Sequence, residues 1–440
     1  MRRSPTLTAL AALALAPATV HAAPWTAPQT LSAPHASQGP VGVASLALGG
    51  LVAGWRWRDD AGGDASSGAA IATRAPAARG FGAQSPTIDG LVALGPLGLR
   101  QTVTVGARAV PTSRGPAGTI LRASLGGGPA RTLAVARIWG RPVLASAAGG
   151  SDALIAYVER TQTASGTRRR VVRAIERRRG TWTAPSTLSG TGRADVLAAA
   201  QNPLGDAVVA FVRDGTLVAR LRRPGRRWGP IQRLARSSGP TAWTVSTFLD
   251  RAGRARVTWR RHPHGGVSEL RTAVVPRGRD TFTAPQTLVA DGASARFAVA
   301  STLTGWVVAD VEPTRAGPRP MLHRTPRFAG APWTRLPVAP AGRGIRGADV
   351  AGNLNGSVTV AWVQPVRGQG GDGRIRSATL DADPKATAFG PVEDVSPAEA
   401  AHEVRLADDG GLILALWTAR PGRAGPDEPR TVVRAAGRTG

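Results

Sequence analysis

Residues 24–31 read PWTAPQTL, residues 181–188 read TWTAPSTL, and residues 281–288 read TFTAPQTL. Near-copies of one octapeptide within one chain mark an internal repeat. Looser copies are RWGPIQRL at 227–234, PWTRLPVA at 332–339, AFGPVEDV at 388–395 and GFGAQSPTI at 80–88. Their aromatic anchors are Trp25, Phe81, Trp182, Trp228, Phe282, Trp333 and Phe389, at successive gaps of 56, 101, 46, 54, 51 and 56 residues. The gap of 101 spans two units, with a degenerate copy near residues 129–135. Eight anchors at a period of roughly 52 suit four short strands with turns.

A second pattern lies inside the units: Asp or Asn, two residues, Gly, five residues, then an aromatic. Asn202-Gly205-Phe211, Asp250-Gly253-Trp259, Asn353-Gly356-Trp362 and Asp408-Gly411-Trp417 fit it, and Gly49 with Trp55 keeps the second half. Asp or Asn opens a tight turn by bonding its own backbone, and Gly takes the positive-φ position that closes it. The strand that follows alternates. Val358, Val360 and Trp362 share one face, and Ser357, Thr359 and Ala361 share the other. One bulky and one small face per sheet suit sheets packed face to face.

Each unit therefore reads as four strands, exemplified by residues 195–200, 207–212, 217–221 and the anchor strand. The expected fold is all-β, a β-propeller of eight four-stranded blades, with seven as the alternative because the second and third units are the least regular. The chain starts on an anchor strand at Trp25 and ends on a third strand at residues 431–435. The N-terminal strand would complete the last blade, which removes the open edges a linear array would expose. Trp259, Trp362 and Trp417 are expected to be buried between blades.

Arg2 and Arg3, the apolar residues 7–16 and the small-residue site Val20-His21-Ala22 read as a signal peptide over residues 1–22. That leaves 23–440 as one propeller domain, exported or extracytoplasmic. The apolar run is too short to span a bilayer, and no transmembrane segment is expected. The 440 residues contain no Cys, so packing alone must hold the fold. Net charge is +28, and Lys385 is the one lysine among 56 basic residues. A surface for polyanions is one reading of that charge. The other is compositional, because a chain rich in Ala, Gly and Pro also writes Arg for Lys.

The repeat resembles sialidase-type propellers with BNR repeats, whose Asp-box Ser/Thr-x-Asp-x-Gly-x-x-Trp ends in a Gly-x-x-Trp step. Gly180-Thr181-Trp182 is similar but one residue shorter, and Arg177, Arg178 and Arg179 stand where the Ser/Thr-x-Asp half belongs. The resemblance implies a propeller. Its chemistry would require an Arg triad, a Tyr–Glu nucleophile pair and an Asp acid/base. Tyr157, the one tyrosine, lies two residues before Glu159 but occupies the repeat position of Trp55, Phe211, Trp259, Trp362 and Trp417. It is read as a structural aromatic, and no catalytic residue is assigned.

Asp310 falls where other units carry the small residues Ala156, Ala210, Thr258 and Ala361, although Leu416 breaks the rule. It is either a buried carboxylate with a perturbed pKa or an exposed group on an irregular strand. His262 and His264, and Asp59, Asp60 and Asp64, are read as loop residues rather than metal ligands, and no cofactor is called for. There is no serine-hydrolase elbow, P-loop or dinucleotide fingerprint. The densest basic stretches supply the candidate polyanion site: Arg168, Arg169, Arg170, Arg177, Arg178, Arg179, Arg222 and Arg223. Aromatics interleaved for base stacking are missing, which argues against nucleic acid. The expectation is a monomeric binding or scaffold module for a glycan or an anionic envelope polymer. The alternative is a sialidase-like glycoside hydrolase.

Overall fold

The computed structural model describes residues 24–439 except 35–36, 47–49, 60–65, 76–77, 79, 88–90, 100, 113–114, 163–165, 191, 238, 294–295, 303–304, 327–331, 354, 367–372, 384, 398–399, 409–411 and 421–430. Among the described residues there is no helix. The strands form seven antiparallel sheets. The largest is two four-stranded units that touch through the single pair Gly373–Ala401, so the described strands group into eight units. Their first, innermost strands are Ser37–Ser45, Leu91–Leu97, Ile138–Ser146, Ala194–Gln201, Thr241–Leu249, Phe297–Ser301, Arg346–Gly352 and Ala400–Asp408. Each inner strand touches the next, and the eighth returns to the first. The chain is a ring of β-sheet blades, a β-propeller. All inner strands begin at one face of the ring, the entry face. Their hairpins close the opposite exit face.

The last blade is closed by the N-terminal segment. Strand Gln29–Thr30 pairs with Val432–Thr439 in the register Gln29↔Ala435 and Thr30↔Arg434. Backbone bonds of 2.8 Å from Thr26 N to Gly437 O and from Leu31 N to Val433 O extend that pairing. The Asn/Asp-x-x-Gly hairpins form as expected. Gly205 and Gly356 adopt φ of 91° and 100° and donate to the carbonyls of Asn202 and Asn353, a backbone region that only Gly enters freely. Gly411 of the fourth such hairpin lies outside the described residues.

The octapeptide can now be read atom by atom. Thr26, Thr183 and Thr283 each donate a backbone N–H and offer a side-chain hydroxyl to the third strand of their own unit. Gln29 holds the next unit's anchor, since its Nε2 donates to Phe81 O and its Oε1 accepts from Phe81 N. Gln232 accepts from Phe282 N, and Gln286 accepts from Trp333 Nε1, in the same way. Trp25 Nε1 donates to Ser377 Oγ and Trp228 Nε1 to Glu176 Oε1, each reaching back to the preceding unit. Pro28, Pro185 and Pro285 stand immediately before the outermost strands Gln29–Thr30, Ser186–Thr187 and Gln286–Val289, where a missing N–H costs no ladder bond.

Eight hydrophobic clusters correspond to the eight interfaces between neighbouring units. Trp55, Tyr157, Phe211, Trp259, Trp362 and Trp417 are all fully buried in six of them, each at the fourth residue after the first pair of its hairpin. Burying so large an aromatic contributes several kcal/mol. Replacing Trp259, Trp362 or Trp417 with Ala should cost about 3–5 kcal/mol, read as a shift in the denaturation midpoint. An unchanged midpoint would contradict the interface role.

Candidate functional site

The eight candidate arginines do not form one strip. Arg168, Arg169 and Arg170 begin the third strand of unit 3, Arg168–Arg178, at the entry face. Arg177, Arg178 and Arg179 end it at the exit face, roughly 30 Å away at about 3.3 Å per residue. Arg222 and Arg223, at the end of the corresponding strand of unit 4, are also at the exit face. Arg222 is buried. It shares Glu176 with Arg178 and lies 5.5 Å from the Trp228 ring, tying unit 4 to unit 3. Arg223 pairs with Asp206 at 3.2 Å and with Asp280 at 2.9 Å. Arg177 donates to Ser151 O. Of the exit-face set, Arg179 is exposed and Arg178 is partly so.

The entry face is different. Six inner strands carry a register shift, in unit 3 between Trp139 and Val143 and in unit 4 between Asp195 and Leu197. Such bulges re-aim side chains at the rim of a sheet. At the unit 4 bulge Val196 has φ of 43°, a costly conformation for a β-branched residue. The bulges bring Trp139 beside Asp195. Trp139 Nε1 donates to Asp195 Oδ1 at 3.1 Å, and Arg170 holds Asp195 Oδ2 at 2.9 Å. The guanidinium carbons of Arg160 and Arg170 lie 3.8 and 4.8 Å from the Trp139 ring centroid. Trp139 still leaves 38% of its surface open. Around it Arg137, Arg141, Arg160, Arg168, Arg169 and Arg193 are exposed, and no carboxylate pairs with any of them among the described residues. An open indole, a fixed carboxylate and unpaired guanidiniums offer a stacking face, a hydroxyl acceptor and anion donors at one place.

The channel wall carries a second polar group. Asp349, in the inner strand of unit 7, accepts from Leu406 N of unit 8 and from Val350 N, both at 2.9 Å. Burial raises its carboxyl pKa above the usual 3.8, and Glu403 adds to the rise. Arg405 and the two backbone bonds oppose it. Glu403 is itself held by Arg405 at 2.7 Å and Arg296 at 3.2 Å. Elsewhere, a cavity of about 420 Å³ is lined by Trp362, Gln364, Arg374, Arg376 and Val392. Both of its arginines are already taken by Asp394, at 2.5 and 2.9 Å.

Tyr157 is buried among Val105, Leu121, Ile155 and Ile175, and burial pushes its phenol up to about 12. A phenol so placed makes a poor nucleophile. Asp310 is buried, and its strand is regular, so the exposed alternative fails. Its repeat position also differs from the one read in sequence. The first hairpin pair of its unit is Ser301↔Trp306, so Asp310 is the fourth residue after it and occupies the aromatic's place. His262 is not in a loop as expected but lies in the strand Ala255–Pro263, with its Nδ1 3.1 Å from Ser268 Oγ, and His264 stands in the turn that follows; both are exposed. Asp59 ends a strand, and Asp60 and Asp64 lie outside the described residues, as does the expected signal peptide. Among the described residues no helix is long and apolar enough to cross a membrane.

Trp139, Asp195 and Asp349 are residues that sequence reasoning missed. Trp139 precedes a bulge, which has no signature of its own. The carboxylates look like any others until their strands are placed on the ring.

No protein-family model and no curated protein matches the chain. Solved structures do. A Trypanosoma rangeli sialidase in complex with a difluoro-KDN is 11% identical, with a TM-score of 0.40, covering 90% of this chain and 52% of its own. This chain thus spans about half the length of that sialidase. A subtype N11 neuraminidase-like protein of A/flat-faced bat/Peru/033/2010 is 6% identical, with a TM-score of 0.38, covering 67% of this chain and 86% of its own. An ulvan lyase of polysaccharide lyase family PL25, bound to a sulfated saccharide, is 10% identical, with a TM-score of 0.47, covering 94% and 95%.

The Asp349 environment generates a titration prediction. Its carboxyl should titrate above the ordinary 3.8, followed by carboxyl-carbon NMR. With the folded value above the unfolded one, the native state holds the proton more tightly. This group therefore lowers stability as pH rises from the unfolded value through the folded one. A midpoint at or below 3.8 would contradict burial as the dominant cause.

Proposed function

We propose that this protein is an exported binding module that holds acidic glycans or related anionic polymers on its entry face. The observation that carries the reading is Trp139, an open indole fixed by Asp195 and flanked by Arg160 and Arg170 within a field of unpaired arginines. Indole area and guanidinium edges are the groups that recognise a ring bearing carboxylate or sulfate. The saccharide bound to the ulvan lyase, which the chain resembles only in fold, belongs to that chemical class.

A second reading, a glycoside hydrolase, is favoured by one group. Asp349 is a carboxyl on an inner strand whose pKa is raised by burial, the direction that suits a general acid. Hydrolysis of a glycoside by the parent protein, lost in Asp349→Asn with the fold intact, would establish it.

The binding reading is tested with a heparin-like polymer at two salt concentrations. Trp139→Ala should weaken binding at least about tenfold, equivalent to about 1.4 kcal/mol. Joint replacement of Arg160, Arg168 and Arg169 by Ser should weaken it and flatten the salt dependence, because fewer counterions are released. Replacing Arg179, Arg226 and Arg227 at the exit face should leave both unchanged. Equal loss from the two faces would show that net charge alone binds the polymer.

A further inference from the structure

The interface between units 5 and 6 departs from the pattern of the ring. Its apolar cluster is small: Leu270, Val289, Ala293 and Val308. Where six other units present Trp55, Tyr157, Phe211, Trp259, Trp362 or Trp417, unit 6 presents Asp310. Strand alternation puts Glu312 on the same face, and His323 joins them from the neighbouring strand, opposite Val308. All three are almost completely buried. His323 Nε2 lies 3.2 Å from Asp310 Oδ1 and 3.2 Å from Glu312 Oε1. One atom from each of the three lies within 4.8 Å of the others.

One carboxylate of the cluster lacks a fixed partner of its own. Arg335 grips Glu312 through both oxygens and neutralises it. Asp310 has only a share of one imidazole nitrogen, and its Oδ2 is buried with no hydrogen-bond partner. An unpaired buried carboxylate oxygen is expensive. The facing arginines of unit 5 are engaged elsewhere. Arg256 lies 4.9 and 4.8 Å from the rings of Trp306 and Trp333, and burial pushes its guanidinium down to about 9. Arg260 donates to Ala293 O.

We propose that Asp310, Glu312 and His323 form a buried site for a divalent transition metal of the zinc class, which pins unit 6 to unit 5. The donor set of two carboxylates and an imidazole suits such an ion. Zinc–ligand bonds of about 2.0–2.2 Å set the edge of a tetrahedron near 3.3 Å, and both contacts of His323 Nε2 have that length. Asp310 binding through both oxygens supplies the fourth donor and removes the orphan. The imidazole binds in its neutral form, so loading competes with protonation and weakens as pH falls. The role is structural, because the site is closed on all sides, and it is separate from the entry-face arginines.

The test uses the whole chain, with zinc and cobalt as probes. Protein folded in the presence of zinc should retain one equivalent through gel filtration, measured by elemental analysis. Unfolding in a chelator and refolding without metal should lower the thermal midpoint, and zinc should restore it. Refolding with cobalt should give the visible d–d bands of a low-symmetry site. Asp310→Asn and His323→Gln should abolish retention. The cobalt spectrum of the parent protein decides the matter even if neither variant folds. Absence of stoichiometric metal and of cobalt bands in the parent would overturn the proposal. So would a His323 ring carrying protons on both nitrogens at neutral pH, which would make the cluster an imidazolium bridge.

Discussion

The structure depends on a short antiparallel pairing between the two ends of the chain. Gln29 and Thr30 lie against Ala435 and Arg434, so the N-terminal strand completes the last unit of a protein that has no cysteine. Every interface is a sheet face that needs a neighbour. A ring gives each face one, whereas an open arc would leave two faces and two edges in water. The segment closes more than one gap. Gln29 holds Phe81 of unit 1, Trp25 reaches Ser377 of unit 7, and the strand itself belongs to unit 8. A dozen residues thus tie three consecutive blades.

The repeated octapeptide was legible as a period and as a fold, because Trp25, Trp182 and Phe282 recur in matching contexts. The physical reason for its polar letters was not. Thr26 and Gln29 recur because each satisfies backbone groups, the glutamine across a blade boundary. The signal was present in TAPQTL, but only the ring shows that the partner of Gln29 lies 52 residues on. The buried aromatics and the terminal closure followed from alternation and chain ends alone. The arginines did not. A local cluster in sequence becomes two ends of a long strand in space, and Arg222 is drawn inward by Glu176 from another unit. Asp310 was noticed for the right residue and the wrong register, since its hairpin pairs Ser301 with Trp306 and shifts the count by one.

The ring separates its polar chemistry by position. Exit-face arginines serve inter-blade ion pairs such as Arg222–Glu176 and Arg223–Asp280. Among the described residues, Arg137, Arg141, Arg160, Arg168, Arg169 and Arg193 around Trp139 have no carboxylate partner, where bulged inner strands open the rim. Between units 5 and 6 an aromatic position carries a carboxylate instead. Propellers tolerate such variation because each interface is nearly independent of the others. One can be stitched by Trp and Val, another by charge, without altering the repeat.

Hydrogen exchange on a protein lacking residues 24–34 tests the closure most directly. Amide protection should fall in the third strand of the last unit, Val432–Thr439, and in the first unit's strand Leu51–Asp59, which packs against it. Units 4 and 5, on the far side of the ring, should keep theirs. Unchanged protection in both terminal units would mean that inter-blade packing alone holds the ring, and the account of its closure would be wrong.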